Sequence, residues 1–332
     1  MQQIQRHIQY WATPVFIIVA LAALIAAPQF LSPFQTFLLA EILTLAVFAQ
    51  SFNLLFGYTG LLSLGQSAYF AAAALAVALL LREVGLGLPW LIVGGVIASV
   101  IFAALVGLLA VRVHGHGFII ITAVPTILFV LFGQDQSWLT GGDNGLNLIP
   151  PKLFGQWSFF DPTVSYYVVL PFFVATMFAL RWLVHSPLGR AFQLIRENEE
   201  RAAVLGYDVL RLKWISFTIA GGVAGLSGAL FALVTAFVIP QQADWTMAAA
   251  AINWTLIGGS GTLLGPVVGT GVWLLLRESM SDVWSNGSPL LLGILLILIV
   301  RFAPRGIVGT INHWWQNQLH QKQSLKNQQR AT

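Results

Sequence analysis

The stretch LPWLIVGGVIASVIFAALVGLLAV, Leu88–Val111, carries no charged residue and is closed on its C-terminal side by Arg112. A helix needs about 20 mostly apolar residues to cross a hydrocarbon core of about 30 Å. This segment alone is long enough to span a bilayer. Working outward, similar runs occur at Pro14–Phe30, Phe34–Leu55, Leu61–Leu81, Gly117–Phe132, Tyr166–Leu183 and Trp214–Ile239. Two shorter runs follow at Trp245–Ile257 and Leu263–Leu276, then a last one at Pro289–Ala303. Of the 332 residues, 57 % are hydrophobic and 8 % charged, against roughly 25 % charged in a soluble domain. The runs are continuously apolar, whereas barrel strands would alternate every other residue. A helix also pairs its own backbone groups in lipid. The expected fold is an all-α integral membrane protein, a polytopic bundle of about ten transmembrane segments.

Orientation follows from the placement of Lys and Arg. With the N-terminus cytosolic and all ten runs crossing, the inside holds Arg6, Arg112, Arg181, Arg190, Arg196, Arg201, Arg211, Lys213, Arg301, Arg305, Lys322, Lys326 and Arg330, and the outside only Arg82, Lys152 and Arg277. This bias predicts both termini inside. A re-entrant pair at 245–276 would leave the same parity. The first run follows Arg6 and His7 and has small residues at Ala22, Ala23, Ala26 and Ala27. It therefore has signal-peptide features, but we expect it to be retained. The chain divides into a transmembrane domain over 1–311, with a cytosolic helix at about 186–206, and a polar tail over 312–332. There is no cysteine, which excludes disulfides and thiol chemistry. The net charge of +4 fits inside loops beside anionic lipid, and nothing else favours nucleic acid.

Two glycine-punctuated segments interrupt the apolar runs. One is Gly57-Tyr58-Thr59-Gly60-Leu61-Leu62-Ser63-Leu64-Gly65-Gln66, the other Gly258-Gly259-Ser260-Gly261-Thr262-Leu263-Leu264-Gly265-Pro266. Gly and Pro cost a helix about 1 and 3 kcal/mol per residue. At membrane depth broken backbone is tolerated where protein shields it or a cavity runs beside it, and discontinuous helices in two halves of a chain point to a transport pathway. Tight turns are the plainer alternative. Asn53, Gln66 and Asn253 lie beside these breaks and fit either interhelical hydrogen bonding or contact with a polar solute. Glu41 is the one carboxylate well inside a run, a functional candidate by its position. The pathway set is thus Glu41, Asn53, Gly57, Thr59, Gly60, Ser63, Gly65, Gln66, Asn253, Gly258, Gly259, Ser260 and Gly261. Gly221, Gly222, Gly225 and Gly228 form a close-packing face on one helix.

Ser186 and Pro187 have the chemistry of a helix start, and Gly206 that of a stop. Between them Leu188, Phe192 and Ile195, extended by Val204 and Leu205, offer apolar contacts. Arg190, Arg196, Glu197, Glu199, Glu200 and Arg201 supply a wet face of mixed charge. Lipid-surface helices are dominated by Lys and Arg, so a docking helix for a cytosolic partner is the preferred reading. A serine protease at Gly258–Gly261 lacks a base, because every histidine falls in a loop or tail. His114 and His116 form a weak metal pattern. The chain has no G-x-x-x-x-G-K-[ST] loop, so ATP-driven transport would need a separate ATPase chain. An ion-coupled carrier or channel acting alone is the alternative.

At these residues the chain resembles the permease subunits of branched-chain amino acid ABC transporters, specifically the larger of the two. The likeness runs over about residues 35–310. It is carried by Ser51–Gly60 on to Gln66, by Leu139-Thr140-Gly141-Gly142-Asp143-Asn144-Gly145-Leu146, and by Ser186-Pro187-Leu188-Gly189-Arg190-Ala191 with Ile195–Glu199. Gly258–Pro266 and Arg301-Phe302-Ala303-Pro304-Arg305-Gly306 complete it. The resemblance implies a type II importer-like bundle, a second permease subunit, two cytosolic ABC ATPase subunits carrying ATP and Mg, an extracytoplasmic solute-binding protein and a bacterial inner membrane. It also implies that Ala202-Ala203-Val204-Leu205-Gly206 belongs to an ATPase-docking signature, with Arg201 at its usual acidic position. No cofactor is implied on this chain. Pro125 is a departure, since the family normally runs on without proline there; loss of a helix hydrogen bond would reshape the path.

Overall fold

The computed structural model describes residues 19–150, 157–283, 293–294, 297, 301 and 306–310. The start of the first run, most of the last run at Pro289–Ala303, part of the motif at 301–306 and the tail lie outside the described residues. Helix starts follow from local chemistry. In α2 (Pro33–Phe52) the Ser32 Oγ accepts from the Gln35 N–H at 3.3 Å while the Ser32 N–H donates to Gln35 Oε1 at 3.0 Å, a reciprocal cap. Before it lies the short apolar helix α1 (Val19–Phe30). Next come α3 (Gln66–Glu83), α4 (Leu88–Ala110), α5 (His116–Asp135) and the single turn α6 (Ser137–Thr140). Then α7 (Pro162–His185) is capped by Asp161, α8 (Pro187–Glu197) by Ser186, and α10 (Val209–Thr235) by Asp208, with α9 (Glu199–Val204) between the last two. The series closes with α11 (Trp245–Gly258) and α12 (Gly265–Val283).

Five helical spans among the described residues are long and apolar enough to cross a membrane: Pro33–Thr59, α4, α5, α7 and α10. The protein is all-α and membrane-embedded. At 14 residues α11 is about 21 Å long, shorter than a full crossing. Exposed Ile97, Ile101 and Leu105 on α4 and Ile120, Ile127 and Leu131 on α5 are faces suited to lipid or another apolar chain. Pro125 does not break α5, which runs continuously past it.

At the centre, α10 packs against α4, α3 and α2. The glycine face read from the sequence makes this possible. A Cβ on Gly221 would strike Ala103, one on Gly225 would strike Ser99, and one on Gly228 would enter the Phe70 backbone. Ser99 Oγ donates to the Gly221 carbonyl at 2.8 Å, and Ser227 Oγ to the Thr44 carbonyl at 2.7 Å. Phe48, Phe70, Tyr69 and Phe217 fill the space between these helices.

The two ends of the bundle differ. At one end β1 (Leu146–Asn147) pairs antiparallel with β2 (Phe237–Val238), in register Leu146 to Val238. There Asp143 accepts from Gln134 Nε2 at 3.0 Å and from Gln241 Nε2 at 2.6 Å. Thus the Leu139–Leu146 motif is a cap that ties α5 to the connection between α10 and α11. At the other end lie both glycine breaks, α8 and α9.

Candidate functional site

The first break is a π-helical continuation of α2, Asn53–Thr59, ending at Gly60 with φ +80°. A π turn carries one residue too many for the α repeat and is frequently found at functional sites. Beyond Gly60 the chain is not helical until Gln66. The sequence placed a span at Leu61–Leu81; its first five residues are instead an irregular strap. Leu64 N–H bonds Thr122 Oγ1 at 3.3 Å, and Gly65 N–H bonds Ser63 Oγ at 3.1 Å. These side chains replace the backbone partners the strap has lost.

The second break is tighter. Thr262 Oγ1 donates to the Gly259 carbonyl at 2.8 Å and accepts from Gly265 N–H at 3.0 Å. Gly259 and Gly261 have φ +120° and +78°, a region where side chains are strained. A Cβ on Gly258 would enter the Gly265 backbone. Here α11 and α12 are joined by a glycine knot rather than an ordinary loop. Ser260 is half-buried on it, and Asn253 half-buried on α11.

The two breaks cross. Asn53 Nδ2 donates to the Thr262 carbonyl at 2.9 Å, Asn53 Oδ1 accepts from Gly261 N–H at 2.8 Å, and Gln50 Nε2 donates to the Leu263 carbonyl. Of the two readings for Asn53, interhelical hydrogen bonding is the one seen. Thr59 Oγ1 meets Ser216 Oγ at 2.6 Å, fastening the π segment to α10. Gly306, φ +71°, lies against Gly258 and Gly259, so the last described helical turn abuts the knot.

Arg196 completes this junction from α8. Its guanidinium donates to the Gly57 carbonyl. A Cβ on Gly60 would lie 3.1 Å from Arg196 Cγ, and one on Gly261 would lie 3.0 Å from its guanidinium. One arginine thus touches both breaks. Beneath it opens a cleft of about 500 Å³ whose walls include Thr59, Gly60, Arg196, Glu199 and Lys213. Lys213, itself buried, pairs with Glu199 at 2.5 Å, and His114 stands 3.4 Å from the same carboxylate. No cluster of three metal-ligating side chains occurs among the described residues.

The 186–206 element is not one helix. Asn198, at φ −163° and ψ 110°, breaks it, and its Oδ1 caps α9 through Arg201 N–H at 2.8 Å. Gly189, Phe192, Ile195 and Ala202 are buried by this chain's own helices. Their apolar face was expected to be free for a partner; it is already packed against the bundle. Gly189 lies against the carbonyls of Leu183 and Val184, where only glycine fits. Leu188 is half-buried, while Arg190, Glu197, Ala203 and Gly206 are exposed and Glu199 half-exposed. The exposed apolar side chains lie further on, at Val204, Leu205, Tyr207 and Leu210. Phe192→Ala should therefore act on folding, with a loss of about 3–5 kcal/mol. Thermal unfolding of the purified chain checks this, and an unchanged midpoint would contradict the packing.

Glu41 stands apart, 3.6 Å from Arg277 on α12. Sequence reasoning gave Glu41 no partner because 236 positions of chain separate the two (277 − 41). Gln66 is fully buried at the first position of α3, and neither amide atom has a partner. Asn53 and Gln66, alike on paper, have opposite fates.

Residues 35–300 match the family described as branched-chain amino acid transport system, permease component. The chain belongs to that family. It is 28 % identical over 317 residues to the high-affinity branched-chain amino acid transport system permease protein LivM of Salmonella typhimurium, covering 89 % of this chain and 74 % of that one. LivM of Escherichia coli is equally similar, 28 % over 319 residues with the same coverage. LivH of Salmonella typhimurium is 24 % identical over 285 residues, 80 % of this chain and 91 % of that one. No solved structure matches the chain. These relatives are ABC permease subunits, not enzymes. The likeness to both LivM and LivH implies a permease pair.

Proposed function

We propose that the chain is the transmembrane subunit of an ATP-driven importer for a small polar solute, with branched-chain or other amino acids as the class carried. The observation that carries this reading is the crossing of the two glycine breaks above Arg196 of α8. A force applied to α8 from below reaches the Gly57 carbonyl directly, and with it both breaks. Partner ATPases, two in number and holding ATP and Mg²⁺, would supply that force by seating on the exposed patch of Val204, Leu205, Tyr207 and Leu210. A second permease subunit and an extracytoplasmic binding protein complete the assembly. The arrangement is ten crossings in a type II importer-like bundle of a bacterial inner membrane, with the α8 end and both termini cytosolic.

The test is uptake of L-leucine into proteoliposomes holding the chain with its genomic-neighbour permease, ATPases and binding protein. Transport that requires ATP supports the reading. Transport that persists without any ATPase replaces it with a stand-alone carrier. A topology experiment is independent of solute: reporters fused at Asn144 and Glu199 should read periplasmic and cytosolic respectively. Both on one side would overturn the orientation.

A further inference from the structure

We propose that the contact between the first turn of α3 and the 3₁₀ turn Pro240–Ala243 is an occluded subsite for the charged head of a zwitterionic α-amino acid. This rests on the transport reading above and names the chemistry of its pathway. The residue before α3 is Gly65, which has no side chain to cap the helix. The first N–H groups of a helix lack intrahelical partners and form its positive end. At this uncapped end sits Gln66, fully buried, with Nε2 and Oε1 both unpaired. Helical side chains lean toward the N-terminus, so the amide is directed to the same place. The Tyr69 hydroxyl is also buried and unpaired. A Cβ on Gly65 would lie 3.1 Å from it, which puts that hydroxyl beside the helix start.

The 3₁₀ turn closes the spot from the other side. Ser67 Oγ donates to the Ala243 carbonyl at 2.8 Å. The residue next to Ala243 is Gln242, whose Nε2 is used on the Phe237 carbonyl at 3.4 Å while its Oε1 is buried and unpaired. Asp244, on the far side of Ala243, caps α11 through Thr246 N–H at 2.8 Å. The unpaired set is therefore uncharged and contains both signs of dipole. The amide oxygens of Gln66 and Gln242 suit an ammonium group, and a third in the same turn, Gln241 Oε1, is also buried and unpaired. The α3 N-terminus, Gln66 Nε2 and the Tyr69 hydroxyl suit a carboxylate. A solute with both groups leaves neither half unpaired. One carrying a single charge would be buried without a counter-charge, which is strongly unfavourable.

The experiment uses the assembled transporter, wild type and Gln66→Leu, with two readouts. ATP-driven L-leucine uptake should fall about tenfold in Gln66→Leu, the effect of one hydrogen bond to a charged group. The thermal midpoint without solute should hold or rise, because an unpaired buried amide is removed. A structural hydrogen-bonding role would lower both, and that result overturns the proposal, as does wild-type uptake. Binding is read separately: L-leucine should raise the wild-type midpoint and leave that of Gln66→Leu unmoved. 4-Methylpentanoate and 3-methylbutylamine, each lacking one of the two charges, should raise neither. A shift with all three compounds, or with none, overturns the subsite. Leucine binding without ATP-driven uptake would keep the subsite and sink the importer reading. Uptake insensitive to Gln66→Leu would do the reverse.

Discussion

Replacing Gly57 with leucine should stop uptake while leaving the chain inserted in the membrane. A Cβ at Gly57 would lie 2.6 Å from Gly261 N and would overlap the Asn53 amide. Asn53 is the hub of the crossing, through its bonds to Thr262, Gly261 and Gln50. Forcing it aside removes interactions of about 1 kcal/mol each and adds an overpacking cost of about 1–3 kcal/mol. Together these exceed the ~2.7 kcal/mol that separates a hundredfold change in rate. Uptake should therefore fall by at least about 100-fold. Gly261→Leu should behave likewise, since Gly261 sits at φ +78° with the Gly57 carbonyl 3.2 Å from the added carbon. Protease protection of the loops checks insertion. Full transport by both variants would reduce the crossing to packing.

Arg196→Glu should uncouple the transporter rather than unfold it. The guanidinium is the group on α8 that reaches the Gly57 carbonyl and stands beside Gly261. A carboxylate there meets a carbonyl oxygen, so an attractive charged hydrogen bond becomes a repulsive contact. Loss of the bond alone is worth about 1.5–3 kcal/mol, roughly 10- to 100-fold in an equilibrium between conformations. ATP hydrolysis by the assembled complex should continue while uptake drops by that factor. Phe192, buried on the same helix, keeps α8 in place in Arg196→Glu. Tight coupling retained in Arg196→Glu would show that force reaches the breaks by another route.

Much of the architecture was legible because hydropathy is local. The apolar runs match helices over α2, α4, α5, α7 and α10, and Ser186, read as a helix start, caps α8 by bonding Gly189 three positions on; the equivalent caps at Ser32, Asp161 and Asp208 went unread. The glycine face of α10 was legible because three- and four-residue spacing places residues on one side of a helix. The boundaries of α3 and α8 were not. The apolar residues Leu61 to Leu64 look helical, but Gly60 at φ +80° has already turned the chain away. The apolar residues of α8 looked like a partner's docking face. Amphipathicity says only that one face avoids water, and here Phe192 and Ile195 meet their own bundle.

The candidate site divides in the same way. The sequence by itself determined the membrane class, the two glycine breaks and the family, because each is carried by composition or by contiguous residues. Only the tertiary structure decided that the breaks touch, that Arg196 lies under both and that Glu41 has Arg277 for a partner. The bonds concerned join residues 208, 209 and 139 positions apart. It also separated two buried amides that composition treats alike. Asn53 lies where another backbone comes within hydrogen-bonding reach, and Gln66 lies where none does. Which of them is satisfied depends on what the rest of the chain brings beside it.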